Sequence, residues 1–387
     1  MYQRLVKPIK SQSFFIFGAR GTGKSTWLRG VFPNDKTLWI DLLDEEVYLR
    51  MSTHPEIFYE RCLAACVAAQ EWVVVDEIQR IPGLLNYVHK LIEEKKLKFA
   101  LTGSSARKLK RDGANLLAGR ALLNSLHPLT SLELGADLNL STVLQYGSLP
   151  KISALSTAEE RQGFLRAYVN NYIRQEIKEE QAVRKLNPFL RFLEVAAQMN
   201  GQILNYSAIA RDCGVDSTAV ERYYEILEDT LLGFHLEPFH ESVRKRQVKK
   251  AKFYIFDLGV KRALERQIQI PLIEGTVPFG HAFEHFFILE ILRLRDYLQP
   301  DDRLSYLRTK DDIEVDLIVE RPGESRKLIE IKSSRQVPDI EVRRLLKLKR
   351  DLEPCELWFA TREEAPRMVE GAEVLNWREV LSRLYKS

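Results

Sequence analysis

SFFIFGARGTGKSTWLRGV, residues 13–31, holds the reading of the chain together. Five apolar or small residues run directly into Gly18-Ala19-Arg20-Gly21-Thr22-Gly23-Lys24-Ser25-Thr26, and a helix-favouring stretch follows. The string fits G-x-x-x-x-G-K-[ST] in the context that motif needs, a strand before it and a helix after it. Its glycines let the backbone wrap a phosphate with N–H groups pointing inward. Lys24 can then reach the β and γ oxygens, and the Ser25 hydroxyl can ligate Mg²⁺ at a helix N-terminus whose dipole favours anions. The implied ligands are ATP and Mg²⁺.

Working outward, TLWIDL (37–42), WVVVD (72–76) and KFALT (98–102) are near-continuous apolar runs separated by helix-period stretches. Such runs suit strands covered on both faces, so residues 13–131 predict a parallel sheet with flanking helices. Asp76, at the end of one such strand, is the carboxylate that a phosphate loop needs on a neighbouring strand to hold Mg²⁺ through water. Glu77 follows it, placed to polarise an attacking water, which argues for hydrolysis rather than nucleotide storage. One strand on, Thr102, Ser104 and Ser105 offer polar groups beside the γ-phosphate, Ser104 foremost, and Arg120 in NLLAGR is a candidate arginine finger toward a neighbouring subunit.

Length and composition agree with several folded domains: 387 residues exceed one ordinary domain, and 45% hydrophobic with 29% charged residues excludes a disordered or fibrous chain. The net charge of +4 is too even to demand a nucleic-acid partner, so any basic surface must be local. Cys62, Cys66, Cys213 and Cys355 show no paired spacing and read as free thiols, and no apolar stretch is long enough to cross a bilayer. The expected location is cytoplasmic. From Ser141 to about Leu232 helix-period patterns take over, as in 161–180 and 187–201; from Phe234 strand runs return around one apolar helix, 281–298.

The motifs GARGTGKST, VVVDEIQRIP, LTGSSARKL…LAGR, HPLTSLEL, FYIFDLGV, HAFEHFFILEI, LRTKDDIEVDLIVE and IEIKSS, in that order, give the chain its resemblance to bacterial and archaeal AAA-type P-loop ATPases with a C-terminal DUF4143 domain. The resemblance implies an α/β AAA-type ATPase domain over 1–140, a helical linker and winged-helix segment over 141–258, and a restriction-endonuclease-like α/β domain over 259–387. It also implies a homo-oligomer, a hexameric ring, whose sites are completed in trans. One departure from the family is Gln175, where relatives tend to carry aspartate.

Residues 202–232 read as helix, tight turn at Cys213-Gly214 and a second helix capped by Asp216, the helix-turn-helix pattern. FHLEPF (234–239) and FYIF (253–256) then flank a loop in which Arg244, Lys245, Arg246, Lys249, Lys250 and Lys252 crowd together, suited to a phosphate backbone. The second helix carries few basic residues, so the expected DNA partner is recognised by structure rather than by sequence. Arg107, Lys108, Lys110 and Arg111 form a second basic cluster that could meet a substrate in a central channel.

In the third module Glu284 lies on the apolar helix, Asp316 in the strand EVDLIV, and Glu330 and Lys332 one residue apart on the same face of a strand. By resemblance these are the four positions of a restriction-endonuclease-like site, with Asp316 and Glu330 as Mg²⁺ ligands and Lys332 helping to activate water. A structural ion-pair cluster in a non-cleaving fold is the competing reading. His281-Ala-Phe-Glu284-His285 also spells H-x-x-E-H, but a zinc site there would leave Asp316, Glu330 and Lys332 unexplained. Two functional classes remain open: an ATP-driven machine acting on DNA, and a nucleotide-controlled switch acting on protein partners.

Overall fold

The computed structural model describes residues 2–33, 36–105, 117, 119–173, 186–240, 250–309 and 313–385. Its N-terminal part is a five-stranded parallel sheet built from β1 (Ser13–Phe17), β2 (Thr37–Asp41), β3 (Trp72–Asp76), β4 (Lys98–Gly103) and β5 (Ala121–Ser125), in the order β2-β3-β4-β1-β5. Side chains alternate across a strand. Phe14 and Ile16 therefore enter one core with Val74, Ala100, Trp27 and Leu28. Phe15 and Phe17 enter the opposite core with Val73, Val75, Phe99 and Leu101. Helix α1 (Lys24–Val31) covers the first face; α2 (Glu45–Thr53), α3 (Glu56–Val67) and α4 (Leu84–Lys95) cover the second. Because β4 lies between β1 and β3, the carboxyl ends carrying Gly18, Asp76 and Ser104 are neighbours.

Strand β5 was not foreseen. It is an edge strand paired only with β1, it is mostly half-exposed, and Asn124 and Ser125 break its apolar run, so it lacks the signature of a two-sided buried strand. Its pairing is nevertheless what carries the chain back beside the phosphate loop.

The middle of the chain is helical. The stretch expected as one helix over 161–180 is an α-helix at Ala158–Ala167 that continues as a π-helix at Tyr168–Ile173; Gln175 lies outside the described residues. Leu186–Gln198 packs on the pair Tyr206–Cys213 and Ser217–Asp229. The turn of that pair places Gly214 at φ +69°, and the Asp216 carboxylate caps the second helix by accepting from Ala219 N at 2.7 Å. Strands β6 (Gly233–Leu236) and β7 (Lys252–Ile255) follow as an antiparallel pair. Arg244, Lys245, Arg246 and Lys249 between them, and the cluster 107–111, lie outside the described residues; Lys250 is exposed.

The C-terminal part is a mixed six-stranded sheet ordered β12-β13-β11-β10-β9-β8, with β8 Arg303–Arg308, β9 Glu314–Glu320, β10 Arg326–Ile331, β11 Cys355–Thr361, β12 Arg367–Val369 and β13 Ala372–Asn376. The long helix Val277–Leu298 and the helix Trp377–Leu384 bury Phe283, Phe286, Ile291 and Trp377 against one face, and Asp339–Asp351 buries Val342, Leu345 and Leu346 on the other. Packing does not follow chain order: Leu129 and Leu134 before residue 140, and Val143 and Leu144 after it, share the long helix's core. The HPLTSLEL motif is the reason. His127 meets Asp296 at 2.7 Å, Glu290 accepts from Ser131 N and Oγ, and Glu133 closes a capping box with Thr130 while holding Arg4 at 2.9 Å. No helix among the described residues is long and apolar enough to cross a membrane.

Candidate functional site

β1 ends in a loop whose shape only glycine supports at two points: Gly21 has φ +82° and Gly23 φ +93°, both in the left-handed region. Gly18 is required for a different reason. A Cβ there would sit 2.3 Å from the carbonyl oxygen of Leu126, the residue that continues β5. Behind the loop, Arg4 donates to Thr22 O (2.8 Å) and Tyr168 donates to Arg20 O (2.7 Å), so an N-terminal arginine and a middle-domain tyrosine both brace the loop's carbonyls. Neither was singled out in the sequence.

The side chains aimed across the loop converge. Ser25 Oγ donates to Asp76 Oδ2 at 2.5 Å, and Thr102 donates to the other oxygen of the same carboxylate. Burial raises the pKa of Asp76, against the pull of Ser25 and Thr102. Lys24 is buried, donating to Gly18 O (2.8 Å) with its ammonium 3.6 Å from Glu77. Glu77 adopts φ +59°, a left-handed conformation that costs a non-glycine residue roughly 1–2 kcal/mol. Its N–H is taken by Thr102 Oγ1 (2.9 Å), and the twist turns its carboxylate toward Ser104 (3.1 Å) and Gln79. Burial works against the charge on Glu77, yet Lys24, Gln79 and Ser104 outweigh it and hold the carboxyl below its usual range. It is thus an ionised carboxylate of fixed direction at neutral pH.

Gln79 is a further residue that sequence reasoning missed. It donates to Glu77 and to Ser104 Oγ (2.9 Å), and its own buried Oε1 has no partner. The available signal was its position two residues after Glu77 in a turn, where a buried amide has no structural need. Arg20, Gly21, Gly23, Lys24, Ser25 and Thr26 line a cavity of about 200 Å³ together with Glu77, Gln79 and Ser104. The donor set fits a Mg²⁺–triphosphate: left-handed glycines form a cradle, a hydroxyl meets a carboxylate, and an ammonium sits beside them. Ala19, by contrast, is buried in the middle domain's core. Arg120 is half-exposed and paired with Glu93 of its own chain.

The C-terminal residues are also brought together. Asp316 accepts from Ile331 N (2.8 Å), Glu330 pairs with Lys332 (2.8 Å), and Glu284 accepts from Tyr254 Oη (2.8 Å). Burial, then the neighbouring carboxylates, push Asp316 up to about 7 and Glu330 up to about 8. Among the described residues no three His, Cys, Asp or Glu side chains are grouped to hold a metal ion. The expectation for Lys252 is overturned: it does not join a solvent-facing basic wing. As the first residue of β7 it is 3% exposed, its ammonium 2.5 Å from Glu314 and 3.8 Å from Glu284. Burial opposes its charge, but Glu284, Glu314 and Asp316 prevail and raise its pKa. His285 is buried, donates to Ile255 O at 2.6 Å and is held neutral by burial, its pKa pushed down to about 3.

Three family models match in tandem: an AAA domain over residues 10–135, the domain of unknown function DUF8612 over 137–269, and the domain of unknown function DUF4143 over 279–380. Uncharacterized proteins of Mycobacterium tuberculosis and Mycobacterium bovis are each 28% identical over 253 residues, 65% of this chain. That match spans 56% of the mycobacterial proteins' own length. An uncharacterized protein of Methanocaldococcus jannaschii is 21% identical over 84% of this chain and 76% of its own. Among solved structures, the replication initiator DnaA bound to AMPPCP and single-stranded DNA aligns with TM-score 0.30 and 14% identity, over 56% of this chain and 82% of that one. AMPPCP-bound DnaA from Aquifex aeolicus aligns with TM-score 0.27 and 13% identity, over 57% and 82%.

Proposed function

For a chain that carries an AAA domain, a DUF8612 domain and a DUF4143 domain in that order, we propose Mg²⁺-dependent ATP hydrolysis coupled to the handling of DNA. The observation that carries it is the joint geometry of Ser25 on Asp76 and of Glu77 between Lys24 and Ser104. Residues 18–26 hold the phosphates. Ser25 and Asp76 are the groups that would hold Mg²⁺, whose chemistry when bound is to neutralise charge on the phosphate oxygens. Lys24 exchanges Gly18 O and Glu77 for phosphate oxygens, which frees the Glu77 carboxylate to take a proton from water. Ser104 and Gln79 keep that carboxylate aimed.

The working assembly is a homo-oligomeric ring, a hexamer, in which Arg120 leaves Glu93 to face a neighbour's nucleotide. The wing around Arg244, Lys245, Arg246, Lys249 and Lys250 grips the DNA backbone, and the C-terminal module, a restriction-endonuclease-like fold in this reading, holds DNA without cutting it. The test is ATP turnover with single-stranded, duplex and branched DNA, alongside particle imaging for subunit count. DNA should accelerate turnover, and Lys24→Ala should abolish it. No response to any DNA would favour the protein-partner switch instead, a reading to which Glu221, Glu225 and Glu228 on the second helix of the turn motif lend weight. Mg²⁺- or Mn²⁺-dependent nicking lost in both Asp316→Ala and Lys332→Ala would show that the C-terminal module cuts.

A further inference from the structure

We propose that the Lys252 ammonium is a built-in cation of the C-terminal acidic cluster, seated where Glu284 and Glu314 would otherwise take a metal ion. Lys252 Nζ lies 2.5 Å from Glu314 and 3.8 Å from Glu284, and the side chain is 4% exposed. Glu284 is further engaged by the buried Tyr254 hydroxyl at 2.8 Å. Glu314 and Asp316 alternate onto one face of β9, so three carboxylates flank a single ammonium that solvent barely reaches. A buried ammonium persists only where such partners compensate its lost hydration. A divalent ion seeking the same oxygens would have to displace it. The cluster is therefore divided: Lys252 commands Glu284 and Glu314, while Glu330, with Oε2 buried and unpartnered, and Lys332 form the other half. The carboxyl groups gathered here are Glu284, Glu314, Asp316 and Glu330, beside the cations Lys252 and Lys332, and burial raises the pKa of Glu284, Asp316 and Glu330. Lys252 is also the residue that anchors the end of the wing to this module, since β7 begins with it and Lys250 O accepts from Tyr306 Oη nearby.

This assignment is independent of the ATPase reading, and its test uses the nucleotide-free 387-residue chain carrying Lys24→Ala. Mn²⁺ is titrated and bound ions per chain are counted from the electron paramagnetic resonance of free Mn²⁺. Adding Lys252→Met should raise the count by one, whereas Lys252→Arg, which keeps the charge, should leave it unchanged. An unchanged count in a folded Lys252→Met protein would overturn the proposal. Should that variant not fold, Glu314→Gln decides: an unaltered count supports Lys252 as the occupant, and the loss of an ion shows that a metal held Glu314 instead.

Discussion

Replacing Arg293 with methionine would remove the cation on which the packing of the long helix against the rest of the chain depends. Arg293 is 1% exposed and donates to Leu129 O (3.1 Å), Ser148 Oγ (2.9 Å) and Phe256 O (2.9 Å), with Glu290 3.7 Å away. Those partners come from the end of the AAA domain, the helical middle and the residue after β7. Methionine matches much of the volume but leaves the fully buried Glu290 without its counter-charge and two carbonyls without donors. Breaking a buried pair in this way costs about 3–5 kcal/mol. Glu290 has its own partners in Ser131 N (2.7 Å) and Oγ, which a glutamine oxygen can still accept from. Glu290→Gln added to Arg293→Met should thus recover more than about 1 kcal/mol, a coupling expected of groups in direct contact. Urea unfolding followed by far-UV circular dichroism measures both. A loss below about 1 kcal/mol for Arg293→Met, or a double variant no more stable than the single one, would refute the reasoning.

Gly18→Ala places a Cβ 2.3 Å from Leu126 O and 2.8 Å from Thr22 Oγ1; overpacking of this kind costs about 1–3 kcal/mol, and the melting temperature and ATP affinity should fall together. Gln79→Ala removes one donor that aims Glu77 without touching the phosphate cradle, so turnover should drop by about tenfold or more while nucleotide affinity holds, read by steady-state kinetics and fluorescent-nucleotide titration. Burial and the neighbouring carboxylates push Asp316 up to about 7 and Glu330 up to about 8, above the values 3.8 and 4.5 of the free side chains. Between pH 4 and 8 the native state holds protons that the unfolded chain has released, so this contribution to stability falls as pH rises through that window. In metal-free buffer the melting temperature of an Asp316→Asn, Glu330→Gln variant, compared with the parent, should gain on it steadily from pH 5 to 8; a constant difference would contradict the assignment.

The phosphate loop and its strands were legible because each is a local pattern: glycines at fixed spacing, and apolar runs that need covering on both faces. β5 was not, since an edge strand pairs on one side and its residues satisfy weaker demands. Lys252 was misread for an instructive reason. Charge density along the chain placed it in the basic wing, but the start of β7 turned it inward, and the carboxylates that stabilise it lie 32 and 62 residues further on, at Glu284 and Glu314. Gln79 and Arg4 escaped in the same way, their roles set by partners that only the folded chain supplies. That an AAA domain comes first and a DUF4143 domain last was visible in motifs, whereas the sharing of one core by residues on both sides of position 140 depends on contacts at long range.

In the proposed function, Glu77 activates the water that cleaves a triphosphate held by residues 18–26. Glu77→Gln keeps the shape of the side chain and removes its charge, so a paired measurement of ATP affinity and phosphate release tests it directly. The expected result is affinity within a few-fold of the parent and release slowed by about 10²–10⁴. A parent protein that neither binds nor cleaves ATP with Mg²⁺ supplied, or a Glu77→Gln protein that cleaves it at the parent's rate, would contradict the account.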